Sequence, residues 1–155
     1  MIQVDVLIGD KNWKKHITNP NTYLNNKLKK ATKKINLFKK NKIYFTILLS
    51  GNIEIKKLNK KFRKKNKVTD VLTFPFHEKK ILNKLLRKKN NSIYLGDIII
   101  NLNKIIKMSK KNIFSTTFDK IWIHGLVHLF GYRHKLNKDF HIMKKLENKV
   151  TSSIK

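Results

Sequence analysis

The 155-residue chain has no cysteine, only two prolines and five glycines, and only nine acidic residues. Without thiols it can form no disulfide, no cysteine-bearing zinc site and no thiol nucleophile, a composition that suits a reducing cytoplasm. No apolar run approaches the roughly 20 residues of a membrane-spanning helix; stretches such as Ile43–Leu49 are strand-sized. The opening residues MIQVDVLIGDKNW carry Asp5 and Asp10 and lack the apolar core of a secretory signal. The shortage of acid leaves 37 Lys and Arg against 9 Asp and Glu, a formal net charge of +28. That excess points to a polyanionic partner, nucleic acid being the natural one. The cations are nearly all lysine and lie along the whole chain, and lysine, asparagine and isoleucine also share A/T-rich codons. The charge therefore supports an RNA or DNA partner and carries no information about base sequence.

At this length one domain spanning residues 1–155 is expected. Alternating or strand-length apolar runs predict strands at residues 2–8, 43–49, 71–76 and 95–101, the third at or near a sheet edge because Pro75 ends it. Helical spacing predicts helices over about 21–38, 53–63, 102–111 and 137–150. The inner stripe of the second is Ile55, Leu58 and Phe62, and the last packs through Phe140, Met143 and Leu146. Residues 77–92 read equally well as a short amphipathic helix or a loop. Ser115, Thr116 and Thr117 offer N-caps to a helix that is apolar nearly all round, with Asp119 in its first turn. The expectation is an α/β (α+β) fold, a small mixed sheet of about four strands with helices packed around one central buried helix.

That helix carries the chemistry. In Ile121-Trp-Ile-His-Gly-Leu-Val-His-Leu-Phe-Gly-Tyr-Arg-His134, His124 and His128 are four apart and project from one helical face. Gly131 can take a positive φ and end the helix, letting His134 swing back as a third ligand. Three imidazoles with an open fourth position suit a catalytic zinc, although nickel and copper favour nitrogen ligands too. The H-x3-H-x2-G-x2-H spacing matches the long zincin motif except that Gly125 stands where a metalloprotease has its general-base Glu. Gly125 cannot take a proton, which removes the main catalyst of a peptidase.

Three stretches resemble the signatures of one family, the YbeY endoribonucleases or rRNA maturation factors. H-G-x-L-H-L-x-G-Y-D-H reads here as His124-Gly-Leu-Val-His-Leu-Phe-Gly-Tyr-Arg-His134, T-D-V-L-S-F-P as Thr69-Asp-Val-Leu-Thr-Phe-Pro75, and L-G-D-I as Leu95-Gly-Asp-Ile98. Ahead of them the family's L-N-x-x-aromatic-R reads as Leu58-Asn-Lys-Lys-Phe-Arg63, and the order fits from about residue 40 to 150. The resemblance implies a metal-dependent, single-strand-specific endoribonuclease of the bacterial cytoplasm, with no membrane association. It implies action on single-stranded RNA, in maturing the 3′ end of 16S ribosomal RNA and in quality control of the small ribosomal subunit. It carries one zinc ion per chain onto His124, His128 and His134, and the family's important arginine onto Arg63. The residues alone would make Arg63 a solvated charge among lysines; the resemblance makes it a clamp for phosphoryl oxygens. A zinc-bound water, or direct polarisation of the phosphate by the metal, would drive cleavage. Two features of the sequence depart from the pattern: Arg133 stands where the family has Asp, and Val127, Asn66 and Val68 replace Leu, Asp and Pro. Arg133 removes a carboxylate beside the third ligand, which leaves open a metal-stabilised RNA- or ribosome-binding assembly factor with weak or no nuclease activity. Asp70 and Asp97 are candidates to orient a histidine or simply to cap turns, and Glu147 reads as packing and surface. The oligomeric state is not encoded in any motif; a monomer is the simplest expectation.

Overall fold

The computed structural model describes residues 1–111 and 113–155, the side chain of Lys111 excepted. Four strands form one sheet: β1 (Ile2–Ile8), β2 (Lys42–Ser50), β3 (Val71–Pro75) and β4 (Ser92–Asn101), in the order β1-β2-β4-β3. β1, β2 and β4 are parallel, and β3 joins the edge antiparallel to β4. Pro75 suits that edge, having no N–H to give a ladder. Phe76 donates its amide to the Leu95 carbonyl and Asn101 donates to the Asp70 carbonyl. By that alternation the Thr73 carbonyl points away from β4, to the open edge.

The connections are helical: α1 (Pro20–Lys34), α2 (Asn52–Arg63), α3 (Lys79–Arg87), α4 (Leu102–Met108), α5 (Phe114–Leu129) and α6 (Asn137–Ser153). The stretch after Phe76, open between helix and loop in the sequence, is thus a helix. α1, α5 and α6 cover one face of the sheet and close the main core, where Trp13, Phe118, Trp122, Phe45 and Ile98 are all fully buried. On the other face α2 stands alone, over a small cluster of Ile55, Leu72 and Ile99. Apolar side chains on both sides of β2 and β4 are what a central strand between two packed layers requires. The expected mixed sheet around a buried helix is the observed fold.

Several local expectations are corrected by packing. The first helix stops at Lys34 rather than near Phe38; Ile35 is extended (φ −112°, ψ 112°) and a 3₁₀ turn over Asn36–Phe38 follows. That break lets both Ile35 and Phe38 reach the core. α5 starts at Phe114, with Ile113 at the cap and no side-chain cap bond, so Ser115–Thr117 lie inside the helix. Phe114 holds this early start by stacking on His16 at 4.5 Å and meeting Trp13 edge-on at 5.9 Å. Asp119 therefore sits in the second turn, where it accepts bonds from the Tyr23 hydroxyl (3.0 Å), Trp122 Nε1 (2.9 Å) and Lys27 Nζ (2.7 Å), tying α1 to α5. Phe62 is not part of α2's buried stripe but 58% exposed, because Ile55 and the buried Asn59 take that role. Phe140 is exposed as well, since the first turn of α6 follows an exposed exit segment and finds no facing element.

Candidate metal centre

α5 lies against β3 and β4 and ends just where its histidines reach the rim of the core. Its close approach to the sheet depends on Gly125: a Cβ there would stand 2.9 Å from the Ile98 Cγ2. The position that a metalloprotease fills with its general base therefore faces the sheet, not the histidines. Past Leu129 the chain turns through Gly131, at φ +86°, a value that most L-residues avoid. That turn returns His134 toward the helix, and one ligand nitrogen from each of His124, His128 and His134 lies within 4.8 Å of the others.

Hydrogen bonds set the direction of two of the rings. The Tyr132 carbonyl can only accept, so His128 Nδ1, 2.9 Å away, carries the proton. Glu147, reaching across from α6, accepts from His124 Nδ1 at 2.7 Å. Both Nε2 atoms are then bare when the rings are neutral, and they face each other at 3.1 Å. Two lone pairs at that distance repel unless a cation or a proton lies between them. Two nitrogens on a tetrahedral zinc would be roughly 3.3 Å apart, given bonds of about 2.05 Å, so the donor set fits a metal of this class. His128 also has its pKa lowered, first by burial and then by neighbouring His124, which keeps a ligand nitrogen bare. His134 is exposed and, among the described residues, makes no hydrogen bond of its own; Arg133 beside it is exposed too.

A family model for Endoribonuclease YbeY matches residues 7–155. The chain belongs to the YbeY endoribonuclease family. Endoribonuclease YbeY of Pelagibacter ubique is 45% identical over 157 residues, covering 100% of this chain and 97% of the relative. That of Buchnera aphidicola from Acyrthosiphon pisum is 42% identical and covers 81% of this chain and 77% of the relative. A solution structure of a Thermotoga maritima protein shares the fold, with a TM-score of 0.56 and 24% identity over 98% of this chain and 90% of that one.

The remaining candidate residues fall in different places. Arg63, at the end of α2, donates from Nη2 to the Thr73 carbonyl at 2.9 Å and lies 5.9 Å from the Phe74 ring centre. It thus approaches the open edge of β3 from the α2 face, whereas the histidines approach from the α5 face. Asp70 and Asp97 touch none of the histidines: Asp70 bonds its own turn at Thr69 and Val71, and Asp97 accepts from the Tyr94 hydroxyl. A hollow of about 810 Å3 at the carboxyl ends of β1 and β2, lined by Asp10, Glu54 and Lys57 among others, includes none of the histidines. Glu147 is the residue that sequence reasoning missed. Its separation of 23 positions from His124 hides the contact, and only the helical step from Met143, which is buried, hints that α6 turns this side inward. Among the described residues no helix is long and apolar enough to cross a membrane.

Proposed function

We propose that this YbeY family member is a single-strand-specific metallo-endoribonuclease, a single catalytic domain over residues 1–155. In this reading it matures the 3′ end of 16S ribosomal RNA and takes part in late quality control of the small ribosomal subunit, in the cytoplasm. His124, His128 and His134 hold one zinc ion. Zinc, when bound, supplies Lewis acidity toward a phosphoryl oxygen and toward the attacking water. The observation that carries the reading is the pair of bare Nε2 atoms 3.1 Å apart, each held by a proton on the far side of its ring.

The chain's own residues supply positioning and charge. Glu147 and the Tyr132 carbonyl fix both imidazoles in the tautomer a ligand needs and stop them rotating. Arg63 uses one of its five N–H donors on Thr73, which anchors the guanidinium at the β3 edge and leaves the others for phosphoryl oxygens. Asn59, buried in α2, donates to the Lys67 carbonyl at 2.9 Å and so holds the basic loop after Arg63. With Gly125 turned to the sheet, the position after His124 supplies no proton acceptor.

A second reading, a metal-stabilised RNA- or ribosome-binding factor of weak activity, draws on the unsupported His134 and its exposed neighbour Arg133. Cleavage of single-stranded RNA by the zinc-loaded chain, compared with His128→Ala and Arg63→Ala, separates the two. The nuclease reading expects turnover by wild type and a fall of at least about a hundredfold in each variant. Tight RNA binding with no cleavage leaves the binding factor, and equal cleavage by all three proteins assigns the activity to a contaminant.

A further inference from the structure

The face of the sheet opposite the main core is only partly covered. By strand alternation it presents Gln3, Asp5 and Leu7 from β1, Lys42, Tyr44, Thr46 and Leu48 from β2, and Leu72 and Phe74 from β3. β4 adds more than a regular strand could. Tyr44 pairs with Tyr94 and Thr46 with Asp97, so one extra residue on β4 forms a bulge that turns both Tyr94 and Asp97 to this side. The result is a row of rings: Tyr44 to Tyr94 at 5.2 Å and Tyr94 to Phe76 at 5.5 Å, with Phe62 and Phe74 5.4 Å apart beside them. Phe76 is 67% exposed and Tyr44 39%. A groove of about 380 Å3, lined by Leu48, Leu58, Phe62 and Phe74 among others and with Thr46 and Asp97 as its polar residues, continues the row under α2.

We infer that this face is a stacking platform for the bases of single-stranded RNA, and the inference rests on the ribonuclease reading above. Charge chooses the occupant. Cations stand at both ends of the row: Lys42 precedes Tyr44 on the same strand face, Lys61 Nζ lies 5.3 Å from the Phe62 ring centre, and Arg63 lies over Phe74. Of the acids of the face, Asp5 stands on the edge strand β1, outside the row, and Asp97 stands among the rings, where the Tyr94 hydroxyl holds it. Flat rings in the centre with cations at the margins match a chain whose bases are apolar plates and whose phosphates are anionic. The platform also leads to the histidines. Three residues beyond Phe76, at most about 11 Å of chain, Lys79 packs on Gly131 and sets its ammonium 4.9 Å from the Tyr132 ring centre, in the turn that carries His134.

The test is fluorescence anisotropy with the full zinc-equilibrated chain, in the cold, using a short labelled oligouridine checked for integrity on a gel. An abasic ribose-phosphate chain of equal length is the second probe. Tyr44→Ala and Phe76→Ala are each expected to weaken oligouridine binding roughly five- to a hundredfold, without changing the salt dependence, because no phosphate contact is lost. Lys42→Gln is expected to lower the salt slope by about one instead. Wild type should bind the abasic chain at least as weakly as either alanine variant binds oligouridine, since every stacking contact is then lost. Phe76→Leu, which keeps apolar area but no ring, should behave as Phe76→Ala; binding at wild-type strength would overturn stacking. Wild type that binds oligouridine while Tyr44→Ala and Phe76→Ala bind equally well overturns the platform alone. Wild type that binds no RNA overturns the ribonuclease reading and the platform with it. Concentration-dependent dimerisation abolished by these substitutions, with RNA affinity unchanged, would assign the face to a second copy of the chain.

Discussion

The two faces of the sheet share every strand yet are finished differently. On one, α1, α5 and α6 seal a core in which Trp13, Phe118 and Trp122 are fully buried, and the histidines emerge at its rim. On the other, α2 alone covers Ile99 and Leu72 and leaves Tyr44, Phe62 and Phe76 to solvent. The sealed face supplies rigidity to three histidines that could hold one ion. The open face offers area and charge, which is what the proposed RNA would need to lie down on it.

The contrast is most easily broken by stability. Phe118→Ala is expected to lose about 3–5 kcal/mol in urea unfolding, whereas Phe76→Ala should stay within about 0.5 kcal/mol of wild type. Comparable losses would mean that the open face is structural. Glu147→Gln comes next: zinc affinity, read by competition with a chelating dye, should fall about 10- to 100-fold, while Lys144→Gln, whose ammonium stands 3.4 Å from the same carboxylate at the surface, should leave it nearly unchanged. An unchanged affinity in Glu147→Gln would remove the carboxylate from the site. Gly125→Ala probes the contact between α5 and the sheet, with an overpacking loss of about 1–3 kcal/mol set against roughly 1 kcal/mol of helix propensity gained. A net loss that vanishes in an Ile98→Ala background would locate the clash; a loss independent of residue 98 would refute it.

Acid supplies a smaller effect. The folded pKa of His128 lies below the ordinary 6.5, by burial and by His124. Between that ordinary value and the folded one, the unfolded chain binds the extra proton, so stability of the metal-free protein is full above 6.5 and falls as pH drops through this window. The urea midpoint followed downward from neutral pH should show the decline, and His128→Gln should flatten it. A midpoint that rises with acid in wild type would reverse the assignment. The smallest effect expected is a gain: Arg133→Asp places a carboxylate beside His134 and should tighten zinc binding severalfold. Weaker binding in that variant would show that the exposed arginine is itself part of the site.

The strands and the histidine helix were readable because their signals are local. Strand-length apolar runs marked β1, β2 and β4, Pro75 marked the edge, and H-x3-H-x2-G-x2-H put three ring nitrogens within reach of one another by helix geometry and one turn. What escaped depended on residues far apart in the chain. Phe114 extends α5 by meeting Trp13 and His16, roughly a hundred positions earlier, against three good cap residues that come later. Phe62 and Phe140 have the spacing of core residues but stay exposed, Phe62 meeting only the edge of the sheet at Phe74 and Phe140 facing no second element. The bulge in β4 shows only in its pairing with β2, so the convergence of Tyr94 with Tyr44 could not be seen in either strand alone.

The amino-acid order alone determined which residues can bind a metal, because spacing along a helix and a glycine at its exit are properties of neighbouring positions. It determined the charge and the strands for the same reason. Only the tertiary structure decided which atoms of those histidines are free, since the partners of their Nδ1 atoms, Glu147 and the Tyr132 carbonyl, are supplied by packing α6 and the exit turn against α5. It also decided that one face of the sheet stays open, because coverage depends on where helices dock, and docking is a sum over contacts between distant segments.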